Sequence, residues 1–163
     1  MAIKTMEELF VETLKDMYYA EKQILKALPT MVKKAHAEEL KEALEMHRQE
    51  TEGQVERLEQ VFQILEKPVE GRRCEGIEGI LDEAKEHMAE IENDRVLDVE
   101  MIGSAQAVEH YEISRYGTII EWARDLGHDD AVGLLDQNLQ QEKNADRTLS
   151  RIAKSSVNMQ AAA

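Results

Sequence analysis

The stretch Val108-Glu109-His110-Tyr111-Glu112 places two carboxylates three residues apart in a segment whose apolar residues repeat at helical spacing. Intervals of three and four residues bring side chains onto one face of an α-helix. The apolar stripe on either side consists of Val99, Ile102, Ala105, Ile113, Tyr116, Ile119 and Ala123. Glu109 and Glu112 lie within this stripe, so the sequence predicts that both carboxylates face the protein core.

The composition favours an all-α fold. The chain of 163 residues has two prolines, eight glycines and 4% aromatic residues, a usage typical of helical proteins. A chain of this length buries roughly two thirds of its unfolded surface as one domain. We therefore predict a helical bundle over residues 1–155 and a disordered tail over residues 156–163.

The formal net charge of −14 restricts the classes of partner. Binding to nucleic acid or to an anionic membrane rests on lysine and arginine, so neither partner is expected; a protein partner is not identified. Cys74 is the only cysteine, which excludes an intramolecular disulfide, and we do not expect it to act as a nucleophile. Residues 1–8 lack an apolar signal region and no apolar run could span a bilayer, so we expect a cytoplasmic protein.

Four long helices follow from periodicity and end signals. Thr5 and Glu8 form a capping-box pattern, which starts a helix that runs to about residue 35. A second helix covers about residues 38–65, a third about 95–125, and a fourth follows the turn at Gly127. Between the second and third, prolines and glycines mark a long crossover that holds one short helix near residues 80–91.

The acidic residues of these helices are predicted to meet at one height. If the chain turns near His36, Glu21 lies fifteen residues before the turn and Glu50 fourteen after it. If it turns again near Gly127, Glu112 and Glu142 each lie fifteen residues from that turn. At 1.5 Å per residue, each pair is roughly 22 Å from its turn and near the middle of the bundle.

Several carboxylates at one level of a core need compensation, because their mutual repulsion and desolvation cost several kcal/mol. The nearby cations Lys22, Arg48, Arg115 and Lys143 lie off the inward stripes. Divalent metal ions are the favoured compensation, and oxygen ligands suit iron or manganese better than copper. A buried hydrogen-bonded carboxylate network without metal, and a chance coincidence of heights, remain alternatives.

Four segments carry a resemblance to a known family: Tyr19–Gln23, Glu50–Arg57, Val108–Thr118 and Glu142–Lys143. They resemble the YciF-like family of bacterial stress proteins, over about residues 3–155. The resemblance implies a ferritin-like four-helix bundle, a cytoplasmic homodimer and a site for two metal ions of unproven activity. Its architecture is similar to that of rubrerythrin.

The resemblance also implies roles for individual residues. Glu21 and Glu112 would each be the ligand from a single helix, Glu50 and Glu142 the bridging or paired acids, and Glu109 an additional ligand. Gln54 and Asp146 resemble secondary ligands. The full predicted metal-ligand set is therefore Glu21, Glu50, Gln54, Glu109, Glu112, Glu142 and Asp146.

One departure from the ferritin-like pattern bears on chemistry. Such di-iron proteins place Glu-x-x-His on two helices, whereas Gly53 and Ala145 occupy the histidine positions here. His47 is expected to be a core histidine bonded to a neighbouring acid, with an inward ligand role as the alternative, and His110 is not expected to be a ligand.

Two classes of function stay open from the sequence. In the first, two metal ions, iron or manganese, react with peroxide or dioxygen in a rubrerythrin-like oxidoreductase. In the second, the protein is a non-enzymatic structural, interaction or metal-scavenging stress protein. Whether the chain is an enzyme is left undecided, and no catalytic residue is predicted.

Overall fold

A computed structural model of the chain describes residues 2–163. The helices are α1 (Met6–Lys34), α2 (Glu38–Ile64), α3 (Glu75–Glu90), α4 (Asp94–Asp125), α5 (Asp129–Ile152) and α6 (Asn158–Ala162). One wide π-helical segment, Ala153–Val157, joins α5 to α6. No strand occurs among residues 2–163, which confirms the predicted all-α class.

The four long helices form a bundle in which each packs against two others. α1 packs on α2, α2 on α5, α5 on α4, and α4 on α1. Short turns connect α1 to α2 and α4 to α5, whereas residues 65–93 form the long crossover and contain α3. α3 packs against α4 and α1 from outside this ring. The arrangement confirms the predicted bundle with one long crossover.

The ends of the helices follow the local sequence signals. The Thr5 side chain accepts a hydrogen bond from the amide of Glu8 (3.1 Å), and the Glu8 carboxylate accepts one from the amide of Thr5 (3.1 Å). Gly127 adopts φ 79° after α4, a left-handed conformation that glycine adopts without strain. Both predicted end signals are therefore present in the fold.

Two apolar clusters fill the core, and every long helix contributes to both. Members of the first include Phe10, Met17, Leu58, Phe62, Ile119, Leu135 and Leu139. Members of the second include Ile24, Leu28, Leu40, Leu44, Met101, Val108, Leu149 and Ile152. Between them lies the polar layer, which consists of Glu21, His47, Thr51, Gln54, Glu109, Glu112 and Glu142, all buried. The layer lies near mid-height, as the spacing of the acids predicts.

The C-terminal residues differ from the predicted disordered tail. The chain continues as helix through Ala162, and the side chain of Val157 is buried in the second apolar cluster. Arg95 Nη1 also donates a hydrogen bond to the carbonyl of Gln160 (3.2 Å). The segment is short, and its apolar residues Val157, Met159 and the three alanines show no helical stripe long enough to predict packing, which is why the periodicity argument stopped short of it.

No helix within residues 2–163 combines the length and apolar character that crossing a bilayer requires.

Candidate metal centre

A cluster of one histidine and three glutamates lies in the polar layer. The ligand atoms of His47, Glu109, Glu112 and Glu142 all lie within 4.8 Å of one another. We call this group the His–Glu cluster. Its members come from α2, α4 and α5, and Glu109 and Glu112 share a face of α4 because three residues span nearly one helical turn. The bundle thus brings together donors that are up to 95 residues apart in sequence.

Glu21 completes the acidic group from α1. It is fully buried, and its Oε1 accepts a hydrogen bond from the phenol of Tyr116. The charge of Glu21 is close enough to Glu112 to raise the pKa of the Glu112 carboxyl. The candidate metal centre therefore comprises the His–Glu cluster and Glu21, so each of the four long helices supplies a donor.

Unpartnered polar atoms identify this centre without reference to any family. Among the residues that the structure describes, ten buried side-chain nitrogen and oxygen atoms lack a hydrogen-bond partner, and all belong to six residues of the polar layer. These residues are Glu21, His47, Gln54, Glu109, Glu112 and Glu142. A buried polar atom without a partner costs about 1–3 kcal/mol. The donors present therefore fit the binding of metal ions.

Burial and the charges of neighbouring acids raise the pKa values of Glu21, Glu109 and Glu112. The pKa of Glu112 lies well above its ordinary value because of burial first, and then because of the charges of Glu142 and Glu21. Burial followed by interaction with Glu142 likewise raises the pKa values of Glu109 and Glu21. Metal-free protein consequently keeps protons on these carboxyl groups at higher pH than exposed glutamates do, and cations compete with those protons for the carboxylates.

Side-chain cations stay outside the centre. Arg48 pairs with Glu45 (2.8 Å) and Glu52 (2.5 Å) on the surface, and Arg115 lies over the ring of Tyr111. Lys22 lies over the ring of Tyr18. Their positions agree with the prediction that lysine and arginine do not neutralise the core acids.

His47 belongs to the His–Glu cluster, whereas the sequence analysis considered a ligand role for it only as an alternative. Its Nε2 lies 3.3 Å from Glu109 Oε1, but neither ring nitrogen is aligned for a hydrogen bond. Burial lowers the pKa of His47, so the neutral imidazole that metals bind is favoured. Its position on the inward stripe, where a bundle would carry leucine, was the sequence signal for this role.

Three predicted ligands lie outside the candidate metal centre formed by the His–Glu cluster and Glu21. Glu50 is half-buried at its edge, and burial, together with the charge of Glu142, raises the pKa of Glu50. Gln54 is fully buried in the polar layer, with both amide atoms unpartnered. Asp146 lies further out, where its Oδ1 accepts a hydrogen bond from Gln106 (2.9 Å) and contacts His110 Nε2 (3.1 Å).

A polar chain behind Glu21 was not foreseen as a unit. Asn138 Nδ2 donates to the Tyr116 hydroxyl (2.9 Å), and Arg57 Nη1 donates to Asn138 Oδ1 (2.5 Å). The positive charge of Arg57 lowers the pKa of Glu21, although burial outweighs it. Glu21, Arg57, Tyr116 and Asn138 come from α1, α2, α4 and α5, so this chain of hydrogen bonds exists only once all four helices have packed.

Residues 5–162 match the family described as Domain of unknown function (DUF892). The chain belongs to this family. Protein YciF of Escherichia coli strain K12 is 38% identical to this DUF892 protein over 162 residues, which are 99% of this chain and 98% of that protein. The predicted YciF-like membership is confirmed.

Solved structures agree with the DUF892 assignment. The crystal structure of the E. coli stress protein YciF has a TM-score of 0.91, and the match covers 96% of this chain and 99% of that chain. YcfI of Rhodopseudomonas palustris, described as a candidate structural protein, is 49% identical in sequence and has a TM-score of 0.90. The match covers 91% of this chain and 94% of that chain. A protein from Xanthomonas campestris, at 22% identity and a TM-score of 0.74 over 94% of each chain, shares the fold.

Proposed function

We propose that this DUF892 protein binds two metal ions, iron or manganese, at the candidate metal centre and serves in a stress response. The observation that carries the proposal is that, within residues 2–163, all ten unpartnered buried polar atoms lie in one layer. Native cores satisfy nearly every buried polar group. Metal coordination would satisfy these carboxylate and imidazole atoms together.

Charge balance supports two ions. Glu21, Glu109, Glu112 and Glu142 carry four negative charges when ionised, and His47 adds none when neutral. A single divalent ion would leave two uncompensated charges in a buried layer, whereas two ions neutralise the four acids. Mixed carboxylate and imidazole ligation fits iron and manganese.

The chemistry of the bound ions is the finer part of the proposal. When bound, a pair of ferrous ions supplies the two electrons that, with two protons, reduce hydrogen peroxide to two water molecules. The protein's own contribution is to hold the donors, exclude bulk water and position protons. The Tyr116 hydroxyl donates a hydrogen bond to one oxygen of Glu21. Hydrogen bonds of this kind, from a neighbouring residue to a metal ligand, hold the ligand in its orientation.

A non-enzymatic role is the second candidate. The acids of the centre are at most 1% exposed, so a substrate larger than a few atoms has no direct approach to them. The relative YcfI is described as a candidate structural protein. In this reading the ions cross-link the four helices or are sequestered from solution.

The decisive experiment is elemental analysis of purified protein after chelation and anaerobic reloading with iron(II), followed by addition of hydrogen peroxide. Two ions per chain, with about one equivalent of peroxide consumed for each pair of iron(II) ions oxidised, would support the redox function. Two ions without oxidation would support the non-enzymatic role. Absence of saturable uptake would refute the metal proposal altogether and favour a protonated carboxylate network.

A further inference from the structure

A small cavity lies beside the candidate metal centre between α2, α4 and α5. Its volume is about 60 Å³, which is room for more than one water molecule. His47 and Glu109 of the His–Glu cluster form part of its wall. The cavity therefore touches the centre on the side of α2.

The same cavity reaches the protein surface. Met46 and Asn144 line it, and both side chains are exposed. Three small side chains, Ala43, Ala105 and Ala145, keep the space between the helices open. Ala145 is three residues after Glu142, where the ferritin-like pattern has histidine, so the missing imidazole leaves part of this space.

Donor atoms extend through the cavity from the outside inward. Glu50 is half-buried and lines it one turn along α2 from His47. At the inner end, both ring nitrogens of His47 and Oε2 of Glu109 are buried without hydrogen-bond partners. A cation that sheds water in the cavity would meet carboxylate, imidazole and carboxylate in succession.

Other approaches offer fewer donors. Glu21, Glu112 and Glu142 are fully buried and Glu109 is 1% exposed. A second cavity, of about 20 Å³, also touches His47 and Glu109 and is lined in addition by residues of α1 and α3, but its remaining wall is apolar. Stripping a divalent ion of water between apolar walls is costly, so the cavity at Glu50 is the favoured path.

We propose that metal ions enter the core through the cavity between α2, α4 and α5, and that Glu50 is a transit ligand for them. This inference rests on the proposed metal-binding function. It gives Glu50 a role that differs from the resident ligand expected from the sequence. Removing the Glu50 charge should slow loading, while the number of ions bound at the end should stay the same.

The test follows cobalt(II) uptake by the metal-free protein in a stopped-flow absorbance experiment, with final stoichiometry from elemental analysis. Glu50→Gln removes the charge and keeps the shape, and Ala145→Leu narrows the cavity without touching a charge. Both should slow uptake, Glu50→Gln by about tenfold or more given the effect of charged clefts on association rates. Glu56→Gln, an exposed residue on the same helix, is the matched control and should load like the wild type.

The outcomes separate this inference from the proposed function. If the wild type takes up cobalt(II) and both Glu50→Gln and Ala145→Leu take it up at the same rate, the proposed entry route is wrong and the metal-binding proposal is unaffected. Loss of bound metal in Glu50→Gln would make Glu50 a resident ligand and also overturn the transit role. Absence of uptake by the wild type would refute metal binding itself. Circular dichroism of each variant establishes that the helices are retained.

Discussion

Glu112 is the residue whose removal should separate metal binding from folding. It is fully buried, both carboxylate oxygens are unpartnered, and it faces Glu21 and the His–Glu cluster. In Glu112→Gln we expect the bound metal to fall from two ions to one or none, with the helical content unchanged. Elemental analysis and circular dichroism check this. Glu86→Gln, exposed on α3, should match the wild type; an unfolded Glu112→Gln protein would instead indicate a structural carboxylate network.

The raised pKa values of the same acids predict how stability depends on pH. The folded, metal-free protein keeps protons on Glu21, Glu109 and Glu112 that the unfolded chain has lost. Their stabilising contribution is complete below the unfolded pKa of about 4.3 and is lost as pH rises through the folded values. The free energy of unfolding in chelator should therefore fall as pH rises above about 4.3.

Glu112→Gln should weaken this pH dependence because it removes one of the coupled acids. At pH values where the wild-type core has lost its protons, the metal-free variant should be more stable than the wild type by about 1–3 kcal/mol, since a buried charge has been replaced. Urea denaturation at several pH values measures both. If the free energy of unfolding changed equally with pH in the two proteins, the interpretation that Glu112 is one of several coupled, protonated acids would be wrong.

Tyr116 should act as a positioning residue for Glu21. Its hydroxyl donates to Glu21 and accepts from Asn138, so Tyr116→Phe frees one oxygen of a predicted ligand. We expect metal affinity to fall about 10–100-fold, as for other outer hydrogen bonds to ligands. Competition with a chelator of known affinity measures it. Tyr18→Phe, which loses only a bond to Glu59 (2.9 Å), should bind metal like the wild type.

Among the elements, the turn between α1 and α2 depends on a residue of α4. Both carboxylate oxygens of Asp98 accept hydrogen bonds, from the amides of His36 and Ala37 (2.8 Å each). The side chain is buried and caps the start of α2, where Ala37 offers no side-chain cap. This long-range cap replaces the glycine or proline that the turn lacks.

Asp98→Ala should therefore destabilise the fold by about 1–3 kcal/mol, because two buried amides lose their acceptor. Asp98→Asn, which keeps one acceptor, should lose less. The free energy of unfolding from urea titration measures both effects. Asp94→Ala removes only an exposed contact with His36 and should change stability by less than about 0.5 kcal/mol; an equal loss in Asp94→Ala would refute the cap.

At the scale of the whole molecule, the homodimer remains a prediction. The net charge of −14 opposes close approach of two copies, so an association surface must outweigh this repulsion. We expect light scattering at about 0.15 M salt to give a mass of twice 18.6 kDa. A mass of one chain would refute the dimer, and a much larger mass would indicate a cage.

Much of this architecture followed from helical periodicity. The stripe around Glu109 and Glu112 predicted their burial, and the distances of Glu21 and Glu142 from the two turns predicted a common height. The capping box at Thr5 marked the start of α1. These features are local or nearly so, since they depend on 3.6 residues per turn and on backbone preferences of a few residues.

Which residues form the candidate metal centre could not be predicted from helical periodicity and required the packed structure. Glu50 and Asp146 share helical faces with true core residues, but the packing of neighbouring helices leaves them at or beyond the edge. His47 enters the cluster because α4 lies opposite α2, and Tyr116 reaches Glu21 across the bundle. Rotation of each helix about its own axis is set by all the side chains in contact, which spacing along one helix does not encode.

The sequence by itself determined that four amphipathic helices bury acids near their midpoints, because periodicity and turn positions are properties of the chain. Only the tertiary structure decided which atoms lie within 4.8 Å of one another, that Asp98 holds the first turn, and where a cavity opens beside Glu50. Those depend on interhelical rotation and on gaps between small side chains from three helices, and both arise only when the core packs.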